Sequence, residues 1–77
     1  MATATATAAP VDYVAQVGET AGKVWNALSE NGPLSLNQLV KKVGQHRDTV
    51  MQALGWLARE DKIVFEDDGR SRVVSLR

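Results

Sequence analysis

The first stretch of the chain with a regular hydrophobic pattern runs from Val11 to Asn31. Apolar residues recur there three or four positions apart, which is the period of a helix with one buried face. They are Val14, Val17, Ala21, Val24, Trp25 and Leu28. Asp12 is suited to cap the start of this helix. Gly32 and Pro33 are suited to end it, since glycine accepts a positive φ and proline cannot continue a helix. We expect Trp25 to lie in the core with the rest of the stripe.

Two glycines, Gly18 and Gly22, interrupt this first helix. Each is expected to destabilise the helix by about 1 kcal/mol relative to alanine. Because they lie four positions apart, they share one face of the helix. They either mark a place where another segment of backbone comes close, or they are simply tolerated within a packed helix.

A second, shorter helix is predicted after Pro33. Ser35 and Gln38 have the spacing of a capping box at its start, and Gly44 is suited to end it. Its apolar face consists of Leu36, Leu39, Val40 and Val43, with Lys41 and Lys42 on the solvent side. Leu34, just before the cap, is expected to add a residue or two of strand.

A three-residue turn, Gly44 to His46, leads into a third predicted helix from Arg47 to about Glu60. Its buried stripe consists of Val50, Leu54, Leu57 and Ala58, flanked by Met51 and Ala53. Projected at 100° per residue, the opposite half carries Thr49, Gln52, Trp56 and Arg59. A tryptophan on the polar half of a helix is unexpected in so small a protein. Three alternatives account for Trp56: packing against the chain that follows, near Val64 or Val73; a surface for a protein partner; or contact with nucleic acid.

The pattern then changes to alternation, the period of a half-buried strand. Ile63, Phe65, Val74 and Leu76 are expected to face the core, on two strands joined by a turn at "DDGR" in which Gly69 takes a positive φ. The order of elements predicts an α+β domain, mainly α, in which three helices are followed by a two-stranded β-hairpin.

Composition narrows the possible functions. A chain of 77 residues forms one domain, which we place at residues 11–77 after a disordered tail over residues 1–10. The tail has no basic residue of the kind that begins a signal peptide, and no apolar run is long enough for a membrane span. We therefore expect a cytoplasmic protein without membrane contact. With no cysteine and one histidine, and no catalytic spacing above chance, we predict no metal, no cofactor, no small-molecule substrate and no enzymatic activity.

Formal net charge is zero, but the charge is unevenly distributed. Residues 41–77 are basic by two, with eight Lys and Arg against six Asp and Glu. A mildly basic second half is a weak electrostatic signature of nucleic-acid binding.

The segment "LSLNQLVKKVGQHRDTVMQALGWLAREDKI", followed at once by the hairpin, resembles the core of the winged helix-turn-helix superfamily over about thirty residues. The landmarks of this resemblance are Leu36, Leu39, Val43, Gly44, Val50, Leu54, Leu57 and Ile63. Over about residues 12–77 the chain most resembles a family of very small stand-alone bacterial winged-helix proteins of unknown function, in which a "GWLARE"-like segment precedes the wing.

The resemblance implies a transcription-related DNA-binding module whose third helix enters the major groove. The residues it implies at the groove are Gln45, His46, Arg47, Asp48, Thr49 and Gln52. Lys41 and Lys42 would lie near phosphates, and Arg70 and Arg72 would contact DNA from the wing. Asp48, in contrast, would repel phosphates.

Two other interpretations stay open at this point. The same basic residues would also fit an ordinary solvated surface, with His46 as a turn or cap residue and "DDGR" as turn chemistry only. The alternative function is a protein-interaction or homodimerisation module that binds no nucleic acid. Its predicted interface consists of the apolar residues Trp56, Val64 and Val73.

Overall fold

A computed structural model describes residues 12–77. The predicted tail over residues 1–10, and the predicted helix start at Val11, lie outside the described residues. The elements are α1 (Tyr13–Asn31), β1 (Leu34–Ser35), α2 (Leu36–Val43), α3 (Arg47–Arg59), β2 (Ile63–Asp67) and β3 (Arg72–Leu76). The predicted order of three helices and a hairpin is confirmed. Within residues 12–77, none of the helices is both long enough and apolar enough to cross a membrane.

The helix ends follow the local chemistry that the sequence indicates. The Asp12 carboxylate caps α1 by accepting a hydrogen bond from the Ala15 N–H at 3.0 Å. Gly32 ends α1 at φ 76° and ψ −159°, so its φ is positive as predicted although its ψ is extended. Gly44 ends α2 in the left-handed conformation, with φ 74° and ψ 25°. Both backbone turns therefore use glycine, which takes a positive φ at no steric cost because it has no Cβ.

The capping box at the start of α2 is also confirmed. The Gln38 N–H donates to Ser35 Oγ at 3.2 Å, and the Ser35 N–H donates to Gln38 Oε1 at 2.9 Å. Two backbone donors that have no partner inside the helix are thereby satisfied.

The sheet has three strands rather than the two of the predicted hairpin. Its order is β1-β3-β2, with both neighbouring pairs antiparallel. Leu34 lies opposite Val74, and Ser35 lies opposite Val73. The strand predicted at Leu34 is therefore short, as expected, but it makes β3 the central strand and ties the wing to the chain ahead of α2.

One hydrophobic core joins the helices to the inner face of the sheet. Every element contributes to it, and its buried members are Ala21, Val24, Leu28, Leu34, Leu39, Val50, Ala53, Leu54, Leu57, Ile63 and Val74. Leu76, Met51 and Ala58 are only half-buried and pack against the edge of this cluster.

Two aromatic residues that the pattern places in the core lie at its margin instead. Trp25 is 42% exposed, because it projects about 100° around α1 from Val24, which takes the central position. Phe65 is also 42% exposed. It lies on the same sheet face as Val74, but β2 is an edge strand and Phe65 is roughly 7 Å beyond Ile63 towards the wing tip. Both predictions of core burial are wrong, and so is that of Val14, which is 68% exposed near the start of α1.

The acidic residues of the wing tip hold its turn together. Asp67 Oδ1 accepts a hydrogen bond from the Gly69 N–H at 2.9 Å. Asp68 Oδ1 accepts from the Arg70 N–H at 2.9 Å and from the Ser71 N–H at 2.8 Å. Gly69 has a positive φ of 91°, as predicted. These contacts fix the backbone from which Arg70 projects.

The capping box gives a test of the link between α2 and the fold. Replacing Ser35 by alanine should lower the free energy of unfolding by about 1 kcal/mol, since a helix loses its N-cap acceptor. Urea denaturation measures the change. Ser29→Ala, at an exposed site inside α1, is the matched control and should leave stability unchanged or raise it slightly. Equal effects of the two substitutions would contradict a capping role for Ser35.

The wing tip should loosen in acid. Hydrogen bonds from the backbone N–H groups of Ser71 and Arg70 hold the pKa of the Asp68 carboxyl below its ordinary value. Because the pKa is lowered in the folded protein, the stabilisation is present above the unfolded pKa of about 4. It is lost as pH falls through the lowered folded pKa.

NMR spectra recorded while the pH is lowered from neutral should show the Arg70 and Ser71 amide signals moving together in this acid range. Asp68→Asn keeps an acceptor oxygen without a titrating group and is the control. Amide signals that move equally in both proteins would show that another group causes the change.

Candidate nucleic-acid interface

The end of α2 presents two adjacent lysines to solvent. Lys41 and Lys42 are both exposed and lie in the last turn of the helix. There they also interact favourably with the partial negative charge of the helix C-terminus. Gly44 then reverses the chain, so that Gln45 and His46 are exposed in the turn that leads into α3.

The start of α3 is open rather than capped by a side chain. His46 occupies the N-cap position, and its side chain makes no capping hydrogen bond. Its backbone carbonyl accepts a hydrogen bond from the Val50 N–H at 3.0 Å. Asp48, exposed in the first turn, complements the positive end of the helix. The exposed imidazole and the free N–H groups of this turn are donors available to an acceptor from outside.

Arg47 is held by a contact that the sequence does not indicate. Its Nη1 atom donates to Asn37 Oδ1 at 3.0 Å, across the angle between α2 and α3. Both side chains are exposed, so the contact orients the guanidinium rather than burying it. An Asn ten residues ahead of an Arg carries no recognisable pattern, and only the folded turn brings the two together.

The remaining residues predicted on α3 differ in how accessible they are. Gln52 is exposed, one and a half turns into the helix, whereas Thr49 is half-buried. The open side of α3 near Gln52 includes Gly55, where an added Cβ would meet nothing within 4 Å. Gln45, His46, Arg47 and Gln52 are therefore exposed at the start of α3, with Thr49 partly covered.

The wing carries the other two predicted residues. Arg70 is exposed at the tip, and Arg72 is exposed at the start of β3 opposite Asp67. Arg72 shares its sheet face with Phe65 and Val74, the face on which Val74 packs against the helices. Phe65 is predicted in the core and not on this surface. It is exposed because β2 is an edge strand.

The basic side chains of this region form no ion pair with an acid among residues 12–77. Among residues 12–77 the ion pairs are Lys62 with Glu60, at 3.5 Å, and Arg77 with Asp61, at 3.3 Å. None of the basic residues at the end of α2, the start of α3 or the wing takes part in either pair. In the same part of the chain, no cluster of three or more His, Asp or Glu could hold a metal ion.

The residues predicted as a protein interface lie on two elements, α3 and the sheet. Trp56 is 39% exposed and lies over α1, where a Cβ placed at Gly18 would be 4.0 Å from its ring atom Cη2. Val64 and Val73 are half-buried on the outer face of the sheet, beside Ser75 and Glu66. Trp56 thus packs against α1, a neighbour that was not among the three alternatives, and those alternatives stay predictions.

Comparison with known proteins agrees with this geometry. The family model described as "Winged helix-turn-helix domain (DUF2582)" matches residues 13–76. The chain is similar to the uncharacterized protein MJ1608 of Methanocaldococcus jannaschii, with 44% identity over 69 residues, which are 86% of this chain and 97% of that protein.

Solved structures show the same fold. The NMR structure of BT2368 from Bacteroides thetaiotaomicron has 39% identity and a TM-score of 0.72, covering 79% of this chain and 74% of that chain. The Zalpha domain of Carassius auratus PKZ, solved in complex with Z-DNA, has 21% identity and a TM-score of 0.69, covering 79% and 97%. A structure concerned with the DNA recognition and protein interaction domains of HOP2 has 27% identity and a TM-score of 0.65, covering 75% and 98%. The chain therefore belongs to the DUF2582 family of winged helix-turn-helix domains.

Proposed function

We propose that this protein is a transcription-related DNA-binding module that places the start of α3 in the major groove of a duplex. One observation carries the proposal. The basic side chains at the end of α2, the start of α3 and the wing are exposed without a carboxylate partner within residues 12–77, whereas Lys62 and Arg77 are paired with acids. Unpaired surface cations are available to phosphates, and phosphate contacts supply most of the affinity of such modules.

Each element contributes a different kind of contact. Lys41 and Lys42 are placed to neutralise phosphates beside the groove. Arg47, oriented by Asn37, offers a planar group that can bind guanine through two hydrogen bonds. Gln52 offers an amide of the kind that binds adenine in the same way.

The flanking residues complete the contact set. Gln45, His46 and Thr49 add hydrogen-bond donors around the start of α3, and Arg70 and Arg72 approach the backbone or minor groove from the wing. The phosphate contacts position the protein, and the groove contacts provide any sequence preference.

Similar folds support the proposal without deciding it. The Zalpha domain was solved with Z-DNA, and the HOP2 structure concerns DNA recognition and protein interaction. The family description itself names a fold and no ligand.

The proposal predicts weak, salt-dependent binding that charge reversal removes. If about four phosphates are contacted, log K should fall with log salt with a slope of about −3 to −4. Lys42→Glu and Arg47→Glu should each lower the affinity for a random duplex at low salt, and together they should abolish binding. Fluorescence anisotropy with a labelled duplex, repeated over a salt series, measures both quantities.

Lys23→Glu is the matched control for these reversals. Lys23 is exposed on α1, outside the helix-turn-helix and the wing, and its reversal changes the net charge by the same amount. The control should retain nearly all of the binding. Absence of any duplex binding by the wild-type chain at 50 mM salt, a low-salt condition in which phosphate contacts are strong, would refute the proposal.

Neutralising Asp48 should change the affinity for DNA in the opposite direction. Asp48→Asn should raise the affinity for DNA about two- to fivefold, because it removes ~0.5–1 kcal/mol of repulsion from phosphate at the dielectric of a surface. It should also lower the free energy of unfolding by about 0.3–1 kcal/mol, since an acid at a helix N-terminus is stabilising. Titration with duplex and urea denaturation measure the two effects separately.

Glu30→Gln is the control for this substitution. Glu30 is an exposed acid at the far end of α1, and its neutralisation changes the net charge equally. An equal gain in DNA affinity for both variants would show that net charge, and not the position of Asp48, controls binding.

A second candidate function is a protein-interaction or dimerisation module without nucleic-acid binding. The observation in its favour is the pair of exposed tryptophans, Trp25 and Trp56, at the junction of α1 and α3. Self-association of the chain together with a complete lack of duplex binding would favour this candidate over the first.

A further inference from the structure

Trp25 forms a ridge between two hollows on the surface. The first hollow, of about 350 Å³, lies between α1 and α3 and is bounded by Trp25 and Trp56. The second, of about 490 Å³, lies on the other side of Trp25 beside Leu76 and the Asp61–Arg77 ion pair. Exposed aromatic rings beside a hollow are a common feature of protein interfaces.

The floor of the first hollow is open because of two glycines on α1. Gly18 lies under the Trp56 ring, and an added Cβ would be 4.0 Å from the ring, an ordinary van der Waals distance. Gly22 is exposed, and a Cβ built there would meet nothing within 4 Å. No contact within residues 12–77 explains Gly22, although a glycine inside a helix costs about 1 kcal/mol relative to alanine.

The charged residues that line the two hollows compensate one another. Glu60 and Lys62 border the first hollow and pair with each other at 3.5 Å. Asp61 and Arg77 border the second and pair at 3.3 Å. The lining therefore carries no net charge, unlike the end of α2 and the start of α3. Two copies of such a patch can face each other without electrostatic repulsion.

We infer that the partner is a second copy of this chain, related by a two-fold axis near Gly22, with Trp25 of each copy inserted into the first hollow of the other. A two-fold interface requires one patch that carries both the projecting and the receiving surface, and the ridge beside its hollow meets this requirement. Gly22 lets the two α1 helices approach closely, as small residues do where helices cross.

The exposed apolar residues give this interface a core. Val14 lies eight residues before Gly22, on the same flank of α1, and is 68% exposed. The two tryptophans, each about 40% exposed, together offer roughly 200 Å². Stable interfaces bury about 800 Å² on each partner, so the tryptophan patch supplies the central part and the surrounding α1 surface supplies the rim.

The interface leaves the proposed DNA-binding residues free. It uses Trp56 in the second half of α3 and Glu60 just after this helix, whereas those residues lie at the start of α3, on α2 and on the wing. A dimer would double the phosphate contacts of one chain. The dimer does not depend on DNA binding, and each can be present without the other.

Sedimentation of the full chain from micromolar to millimolar concentration tests the inference. The mass should rise from that of a monomer to that of a dimer, and high salt should not reverse the change. Because Trp25 and Trp56 are the two tryptophans of the chain, tryptophan emission should shift to shorter wavelength over the same concentration range. Gly22→Gln should weaken the dimer by at least about tenfold, a loss of ~1.4 kcal/mol. The melting temperature of the Gly22→Gln monomer, measured at low concentration, should rise.

Gly55→Gln is the matched control. Gly55 is also an exposed glycine inside a helix with nothing within 4 Å of an added Cβ, but it lies on the open side of α3. This variant should be more stable and should dimerise like the wild type. A wild-type chain that stays monomeric with constant emission would overturn the inference and assign the hollow to a different partner. A dimer that persists unchanged in Gly22→Gln would overturn the proposed interface.

Discussion

The fold depends on one hydrophobic cluster, to which four elements each contribute a fully buried side chain. Val24 from α1, Leu39 from α2, Val50 from α3 and Val74 from β3 are each 0% exposed and belong to one cluster. The eight-residue α2 in particular would not be stable alone, since an isolated helix shorter than about 12–15 residues is marginal in water. The angle between α2 and α3, and hence the position of every residue at the start of α3, follows from this packing.

Around that core the surface has two regions, one with unpaired basic side chains and one in which acids and bases are paired. Near the turn between α2 and α3, basic side chains have no acidic partner among residues 12–77, and they are available to an anionic ligand. Near Trp25 and Trp56, acids and bases neighbour one another and form ion pairs. Net charge, which is zero, conceals this division. Placement of charge, rather than its total, separates a surface suited to phosphate from one on which two copies can face each other without electrostatic repulsion.

Local chemistry made much of the fold predictable from sequence. Helix caps at Asp12 and Ser35 and the glycine turns depend on residues close together in the chain, and the structure has them where the sequence places them. Trp25 and Phe65 were misplaced because periodicity gives the direction of a side chain but not how far the neighbouring element extends over it. The two-residue β1 is too short to show a period. The Arg47–Asn37 contact could not be predicted because it forms only in the folded turn. The packing of Trp56 could not be predicted because it depends on α1 lying beside the second half of α3.

Ser35 belongs to two elements at once. It ends β1 opposite Val73 of the central strand, and it is also the N-cap of α2 through its hydroxyl and amide. The wing and the helix-turn-helix therefore share this residue as well as the core, and neither is an independent mechanical unit. A wing displaced by a bound ligand would pull on the residue that caps α2, so strain applied at one side of the domain would be transmitted to the other without passing through the hydrophobic core.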